Sequence, residues 1–198
     1  MASYKTTRFI QIVFVLLIII LVIGTLVYFG RSIFFPNTNV ASQPDISQTA
    51  LLSTNADRAV RMTVRGPIVA DEDYRTYQIR VTPNERALIE YKGYQNQQFD
   101  NITLVNNIPS YEQFVYALDR SNLMRGTELT GDSNDVRGVC ASGNLYQFQI
   151  FKADKVVKML WTTSCSSVHG SINASLRVLT DLIISQIPGA QKKINTLW

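Results

Sequence analysis

Residues 59–81 read AVRMTVRGPIVADEDYRTYQIRV, and this stretch alternates apolar and polar side chains in two blocks. The blocks are residues 59–65 and 74–81, and Gly66-Pro67 and an acidic loop separate them. A period of two is typical of strands that bury one face, and Gly-Pro interrupts such a pattern. The stretch therefore predicts two half-buried strands of an antiparallel sheet. Their inward side chains would be Val60, Met62, Val64, Tyr77, Ile79 and Val81.

Four further segments extend the predicted sheet. Ala87–Tyr91 indicates a third strand, and Ile102–Val105 indicates a short fourth one. Asn144–Phe151 and Lys155–Thr163 predict a hairpin, because a short polar turn separates two apolar runs. We expect six side chains of this hairpin to share one face: Tyr146, Phe148, Ile150, Val157, Met159 and Trp161.

Two helices accompany the predicted strands. Ser110 and Gln113 have capping-box spacing, which predicts a helix that ends near Met124. Ser171 is a suitable cap for a second helix that ends near Gln186. Runs of strands with segregated helices are typical of α+β domains. We therefore predict an α+β fold, an antiparallel sheet with two helices packed on one face, preceded by one N-terminal transmembrane helix.

The amino-terminal segment supplies the predicted membrane helix. Phe9–Phe29 is an almost unbroken apolar run without a charged side chain. As a helix it would span about 31 Å, at about 1.5 Å per residue, which matches the hydrocarbon core of a bilayer. A cleaved signal peptide has a shorter apolar region and a small-residue cleavage site. Cleavage near Val40-Ala41-Ser42 is the alternative, and the length of the run favours an uncleaved anchor in the lipid bilayer.

The flanks of this run predict the orientation and organisation of the chain. Lys5 and Arg8 precede it and Arg31 follows it, and the more positive flank stays in the cytoplasm. The next stretch is rich in Ser, Thr, Asn and Gln, as flexible linkers are. Four segments result: a cytoplasmic tail (1–8), a transmembrane signal anchor (9–30), a flexible spacer (31–56) and an extracytoplasmic α+β domain (57–198).

The charge distribution argues against a nucleic-acid partner. The whole chain has a formal net charge of +4. Residues 1–31 hold three of the 19 basic residues and none of the 15 acidic ones, so the remainder carries 16 basic against 15 acidic residues. These basic residues are scattered rather than clustered, whereas nucleic-acid binders concentrate them. We therefore expect no nucleic acid among the partners.

Cys140 and Cys165 are the only cysteines, and they flank the predicted hairpin at its open end. Neighbouring strands lie about 4.8 Å apart, which brings such positions within bridging distance. Outside the cytoplasm the pair can oxidise, so we predict a disulfide; two buried free thiols are the alternative. No Cys-x₂-Cys motif occurs and His169 is the only histidine, so we predict no metal site and no cofactor.

Two family resemblances bear on function. Leu160–Cys165 reads LWTTSC, and an anchored, β-rich domain with a cysteine at the end of a Thr-rich strand resembles the sortase transpeptidases. That resemblance implies Cys165 as the nucleophile and Arg177 as the oxyanion-stabilising arginine. Sortases need a histidine upstream of the cysteine, whereas His169 follows Cys165. An apolar helix joined to a sheet also resembles the pilins, whose acidic residue near the start of that helix is missing here.

Polar loops provide the remaining candidate sites. Asp71–Asp73 and Asp132–Asp135 could offer oxygen ligands to calcium, but the second cluster lacks the EF-hand order, and we expect ordinary turns at both. Lys92, Tyr94 and the Gln/Asn-rich run to Asn101 combine aromatic and amide groups that could contact glycans.

We predict a single-pass, membrane-anchored, extracytoplasmic binding or assembly module of a bacterial cell envelope, without a catalytic site. Its expected partners are the lipid bilayer, through Phe9–Phe29, and other envelope proteins or glycans. The alternatives are a cell-envelope enzyme with a dispersed site, sortase-like or another hydrolase, and a pilin-like filament subunit. Cys140 and Cys165 are the predicted site residues, as a disulfide.

Overall fold

A computed structural model describes residues 17–25, 46–168 and 170–197 of the chain. Residues 17–25 are helical, and they belong to a different unit from residues 46–197. Within the described ranges, no helix has the length and apolar character needed to cross a bilayer. Most of the predicted anchor, Phe9–Phe29, lies outside these ranges, as do the predicted tail and residues 31–45 of the predicted spacer.

A six-stranded antiparallel sheet forms the centre of residues 46–197, which confirms the predicted α+β class. Its strands are β1 (Arg58–Arg65), β2 (Arg75–Val81), β3 (Glu85–Lys92), β4 (Gln97–Val105), β5 (Leu145–Lys152) and β6 (Lys155–Thr163). Their order across the sheet is β4-β3-β2-β1-β5-β6. The strands of residues 58–105 form a meander, and the hairpin β5-β6 pairs with β1 at its other side.

The described part of the domain has more helices than the two predicted ones. They are α1 (Ile46–Leu52), α2 (Ile108–Arg120), α3 (Leu176–Ile184) and α4 (Ala190–Ile194), and a 3₁₀ turn covers Gly131–Asn134. Helix α1 lies within the predicted flexible spacer, 31–56, and its Ala50 and Leu51 are buried. This part of the spacer prediction is therefore wrong, because α1 packs into the core of the domain.

The core lies between the helices and one face of the sheet, which we call the covered face. The side chains of β1 and β2 that were predicted to point inward are in this core, so the alternating pattern of these two strands is confirmed. The helices contribute Leu51, Tyr111, Phe114, Val115, Leu118, Leu179 and Ile183 to the same cluster. The opposite face, which we call the open face, carries the side chains that alternate with the core residues in each strand.

The helix caps differ from those predicted. Asn107, not Ser110, caps α2, and its Oδ1 accepts a hydrogen bond from the Ser110 backbone nitrogen at 2.9 Å. Ser175 caps α3. Ser171 is instead part of the edge of the sheet, where its hydroxyl accepts a hydrogen bond from the Trp161 backbone nitrogen at 2.8 Å. A cap lies immediately before the first helical turn, and Asn107 and Ser175 are the polar residues at these positions.

The predicted common face of the hairpin is wrong for β6. The two-residue turn pairs Lys152 with Lys155, but the register shifts by one residue between Ile150 and Phe151. Phe148 therefore pairs with Leu160 rather than with Met159. A bulge of one residue moves every later side chain to the other face. Met159 and Trp161 consequently lie on the open face.

Candidate functional site

The two cysteines lie at disulfide distance, with their sulfur atoms 2.02 Å apart. Cys165 follows the end of β6, and Cys140 lies in the irregular segment between the 3₁₀ turn and β5. Gly143 leaves room for the pair, because a Cβ atom there would lie 2.8 Å from the Cys140 sulfur. Sortase-like chemistry would require a free thiol at Cys165, whereas its sulfur is bonded to that of Cys140. His169 lies outside the described residues.

A cleft with a cavity volume of about 640 Å³ lies on the open face of the sheet. The strands β1, β2 and β5 form its base, and the β2–β3 end of the sheet contributes tyrosines. None of the residues that line it is acidic. The lining is polar because the helices cover only the other face, so the alternate side chains of the same strands remain accessible to solvent.

The strand register determines which polar side chains adjoin one another in the cleft. Arg61 of β1 lies directly opposite Arg80 of β2 on one side and Gln149 of β5 on the other. Two residues further along β1, Thr63 lies between Gln78 and Gln147. Directly opposite side chains in an antiparallel pair have Cβ atoms about 5 Å apart. These rows therefore place arginine, amide and hydroxyl groups within reach of one ligand.

Arg61 is held in place without a carboxylate. Its Nε donates to Gln149 Oε1 at 2.8 Å, and its guanidinium carbon lies 4.5 Å from the centre of the Phe151 ring. Burial lowers the pKa of Arg61 from its usual value, and the positive charge of Arg80 lowers it further. Within the described ranges, neither arginine forms an ion pair. The result is a positioned cation with unused hydrogen-bond donors.

Arg65 provides a second cation in the cleft. It lies opposite Thr76 of β2, four residues along β1 from Arg61. Four residues of an extended strand cover about 13 Å, so the two arginines start from different points along the cleft. Among the described residues, Arg65 also has no acidic partner. The cleft is therefore positively charged along its length.

Thr76 has an unsatisfied hydroxyl next to Arg65. The residue lines the cleft, is only 4 % exposed, and its Oγ1 has no hydrogen-bond partner within the described part of the chain. Thr63 differs, since its Oγ1 accepts a hydrogen bond from Gln78 Nε2 at 3.2 Å. Buried polar groups in proteins are normally paired. The Thr76 hydroxyl is a buried exception to this rule in the wall of the cleft.

Tyr74 and Tyr94, which we call the aromatic rim, border the cleft near Thr76. Their rings are stacked, with centroids 4.0 Å apart and an angle of 14° between the planes. The Tyr94 hydroxyl donates to the Val69 carbonyl oxygen at 2.7 Å, and its backbone nitrogen donates to Asp71 Oδ1 at 2.7 Å. Tyr74 is buried, whereas Tyr94 is 47 % exposed. The rim thus presents a fixed ring to solvent.

The acidic loops have structural partners in the described structure. Asp71 accepts the hydrogen bond from Tyr94 just described, and Gly93 adopts a φ of +70° beside it. Arg137 binds Asp135, and this hydrogen bond lowers the pKa of the Asp135 carboxyl to about 2. No cluster of three or more His, Cys, Asp or Glu side chains suited to a metal occurs within residues 17–25, 46–168 and 170–197.

The sequence prediction identified one part of the cleft and missed the rest. Tyr94 and Asn96, which belong to the predicted glycan-contact stretch, line the cleft, whereas Lys92 lies beside a separate depression with Asp71 and Glu72. The alternation of β1 and β2 placed Arg61, Arg65 and Gln78 only on an outward face. A signal for them exists, because every outward position of residues 61–65 and 76–80 is Arg, Thr or Gln and none is acidic.

The candidate site is assigned from its geometry, because comparisons with protein families and curated proteins found no match. No protein-family model matches the sequence, and no curated protein matches it. The open-face cleft is therefore the candidate site because of its fixed aromatic rim and its arginines, which form no ion pair within the described residues.

Proposed function

We propose that this chain is a single-pass, membrane-anchored binding module of the cell envelope, and that the open-face cleft is its ligand site. The observation that carries the proposal is the cleft of about 640 Å³, whose two arginines form no ion pair within the described residues and lie among amide side chains. Ligand sites in proteins commonly have volumes of about 300–1,000 Å³ and a few converging polar groups. The cleft has both properties.

The arginines of the open face support a binding role rather than a structural one. Arg61 and Arg80 lie directly opposite each other, and like charges in this arrangement lower the stability of a sheet. A structural role would favour a carboxylate or a neutral side chain at one of the two positions. A ligand with negative charge would neutralise both arginines, so the arrangement is better suited to binding than to stability.

The predicted anchor and the cysteine pair support a location outside the cytoplasm. Phe9–Phe29 is long enough to cross a bilayer, and Lys5 and Arg8 favour retention of the preceding tail in the cytoplasm. The domain that follows contains the Cys140–Cys165 pair, and disulfides persist in oxidising compartments. An extracytoplasmic domain on a membrane tether suits a protein that binds material of the envelope.

Photo-crosslinking in intact cells tests the binding face. A photo-reactive phenylalanine analogue replaces Gln78 in the cleft of the full-length chain, and a matched variant carries it at Glu112, an exposed position of α2. We expect irradiation to attach an envelope component at position 78 and not at position 112. Equal adducts at both positions, or none at position 78, would contradict the proposed site.

Protease protection tests the proposed orientation. A protease added to intact cells, with the outer layers of the envelope made permeable, should digest residues 57–198 and leave the anchor fragment. A cytoplasmic marker protein should remain intact in the same sample. Digestion that begins only after the cytoplasmic membrane is lysed would show that the domain lies inside.

A further inference from the structure

We infer that the ligand of the open-face cleft is an acidic glycan, a saccharide chain that carries carboxylate or phosphate groups. The inference rests on the proposed function and specifies the chemistry of the ligand. Three properties of the cleft lead to it: the spacing of its cations, the hydrogen-bonding character of its base and the position of its exposed ring.

The cations of the cleft require negative charge at more than one point. Arg61 and Arg65 lie about 13 Å apart along β1, and no acidic residue lines the space between them. Guanidinium groups bind carboxylate and phosphate oxygens through two parallel hydrogen bonds. A ligand with a single negative group would engage only one end, so a chain with repeated negative groups fits the cleft better.

The base of the cleft is suited to hydroxyl-rich ligands. Gln78 donates to Thr63 and Gln149 accepts from Arg61, and these amides, like that of Gln147, retain further donors and acceptors for a ligand. A sugar hydroxyl also donates and accepts, so it can pair with groups of both kinds. This combination distinguishes a saccharide from a purely anionic ligand, which would need only donors.

The exposed ring of Tyr94 provides an apolar surface at one end of the same cleft. One side of this ring lies against Tyr74, and its hydroxyl is held by Val69, so its orientation is fixed before binding. A saccharide ring has an apolar C–H face that can pack on such a ring while its hydroxyls reach the amides. Preorganisation of this kind lowers the entropic cost of binding.

Two other classes of polyanion fit the cleft less well. Single-stranded nucleic acids are bound by successive aromatic rings that stack on successive bases, whereas Thr63, Gln78 and Gln147 occupy the centre of this cleft. Extended peptides usually pair with the edge of a sheet, whereas the cleft lies across its face. The test therefore includes both classes as competing outcomes.

Isothermal titration calorimetry on the full-length chain in nanodiscs of uncharged lipid tests the ligand class. The probes are an oligogalacturonate, its methyl ester, a sugar-phosphate oligomer, oligothymidylate and poly-glutamate. We expect one or both acidic glycans to bind at least about tenfold more tightly than the neutral ester, and more weakly as salt rises. The carboxylate and phosphate probes distinguish the two sources of negative charge.

Matched variants locate the binding. Arg61→Gln and Arg65→Gln should each weaken acidic-glycan binding about tenfold, whereas Arg177→Gln on α3 should leave it unchanged. Tyr94→Leu should weaken it severalfold, and Tyr116→Leu should not, although Tyr116 on α2 is similarly exposed at 43 %. Thermal unfolding of each variant verifies that the domain is folded, and the two arginine positions provide independent tests.

Three results would overturn the inference: equal binding of the neutral ester, equal loss of affinity in Arg177→Gln, or tighter binding of oligothymidylate or poly-glutamate. An adduct at position 78 in cells together with no binding of either acidic glycan would also overturn it, and the proposed binding face would stand. Failure of the crosslinking experiment would instead contradict the proposed function itself.

Discussion

The covered and open faces of the sheet are built from the same strands but follow different physical rules. Ile79 and Gln78 are neighbours on β2, yet Ile79 is fully buried beneath the helices and Gln78 lines the cleft. On the covered face, side chains are selected for packing in a dry core. On the open face, the same backbone presents amides and cations at the surface of the cleft. The packed core and the proposed binding face are thus separated by a single step along a strand.

Glu90 is an exception to this division, because it is a carboxylate on the covered face. It lies opposite Tyr77, is only 2 % exposed, and its Oε1 has no hydrogen-bond partner within the described ranges. Burial raises the pKa of Glu90, although the charge of Lys193 partly opposes this shift. Lys193 itself forms an ion pair with Asp100. The exception shows that packing against the helices does not require every covered side chain to be apolar.

The largest predicted difference between the faces is in their contribution to stability. Ile79→Ala should lower the free energy of unfolding by about 4 kcal/mol, because it leaves a cavity beneath the helices. Gln78→Ala should lower it by less than about 1 kcal/mol, since only one partly exposed hydrogen bond is lost. Urea denaturation of both variants measures the contrast. Similar losses would mean that the open face also supports the fold.

The next largest effect concerns the segment of residues 134–140, which borders the open face beside β6. The Asn134 side chain there accepts a hydrogen bond from the Trp161 ring nitrogen at 3.1 Å, and Cys140 ties the same segment to Cys165. The double variant Cys140→Ser, Cys165→Ser should lose about 3 kcal/mol of unfolding free energy. Reducing agent should destabilise the unmodified chain equally and leave the double variant unchanged. A reductant effect on that variant would contradict this account.

A smaller effect of opposite sign is expected for Glu90. Because its pKa is raised in the folded state, the folded protein binds more protons than the unfolded one above the usual glutamate pKa. Stability should therefore fall as pH rises from that value through the raised pKa. Glu90→Gln should remove this dependence and increase the unfolding free energy by about 1 kcal/mol at pH 7.

Denaturation across a pH series measures the Glu90 effect. The matched control is Glu85→Gln, an exposed carboxylate on the same strand, which should retain the pH dependence of the unmodified chain. A loss of stability in Glu90→Gln would show that the attraction of Lys193 for the buried carboxylate outweighs the cost of burial.

The smallest effect concerns the charged pair on the open face. Arg80→Gln should raise the unfolding free energy by about 0.5 kcal/mol at low salt, because it removes the repulsion with Arg61. The gain should disappear at 1 M salt, where exposed charges are screened. Arg177→Gln should show no gain, since its exposed pair with Asp181, at 3.8 Å, contributes little. A gain that persists in 1 M salt would indicate a cause other than repulsion.

The fold was predictable where the local pattern is strong. Val60 and Ile79 were placed on the inner face by alternation alone, and both are buried. The capping residues were less predictable, because Asn107 and Ser110 are both competent caps and only the path of the chain selects one. Helix α1 was missed, since Ala50 and Leu51 show no clear period in a polar stretch and become helical against the core.

The candidate site was less predictable than the fold. Alternation placed Arg61 and Arg80 outward but did not make them neighbours. Their proximity depends on the pairing of β1 with β2, and the neighbour on the other side, Gln149, comes from a strand 80 residues or more further along the chain. The one-residue bulge in the hairpin then adds Met159 to the cleft, although the pattern of β6 placed it in the core.

Some features depend only on residues that are close together in the sequence, so they could be predicted directly from it. These features are the local alternation, the apolar run at the amino terminus and the positions of the cysteines. They define the α+β class, the inner side of β1 and β2, and the predicted anchor. The cleft arises differently, because β5 pairs with β1 only when the whole covered face packs against the helices. That packing involves residues far apart in sequence, and no local pattern records which distant strand will be the neighbour.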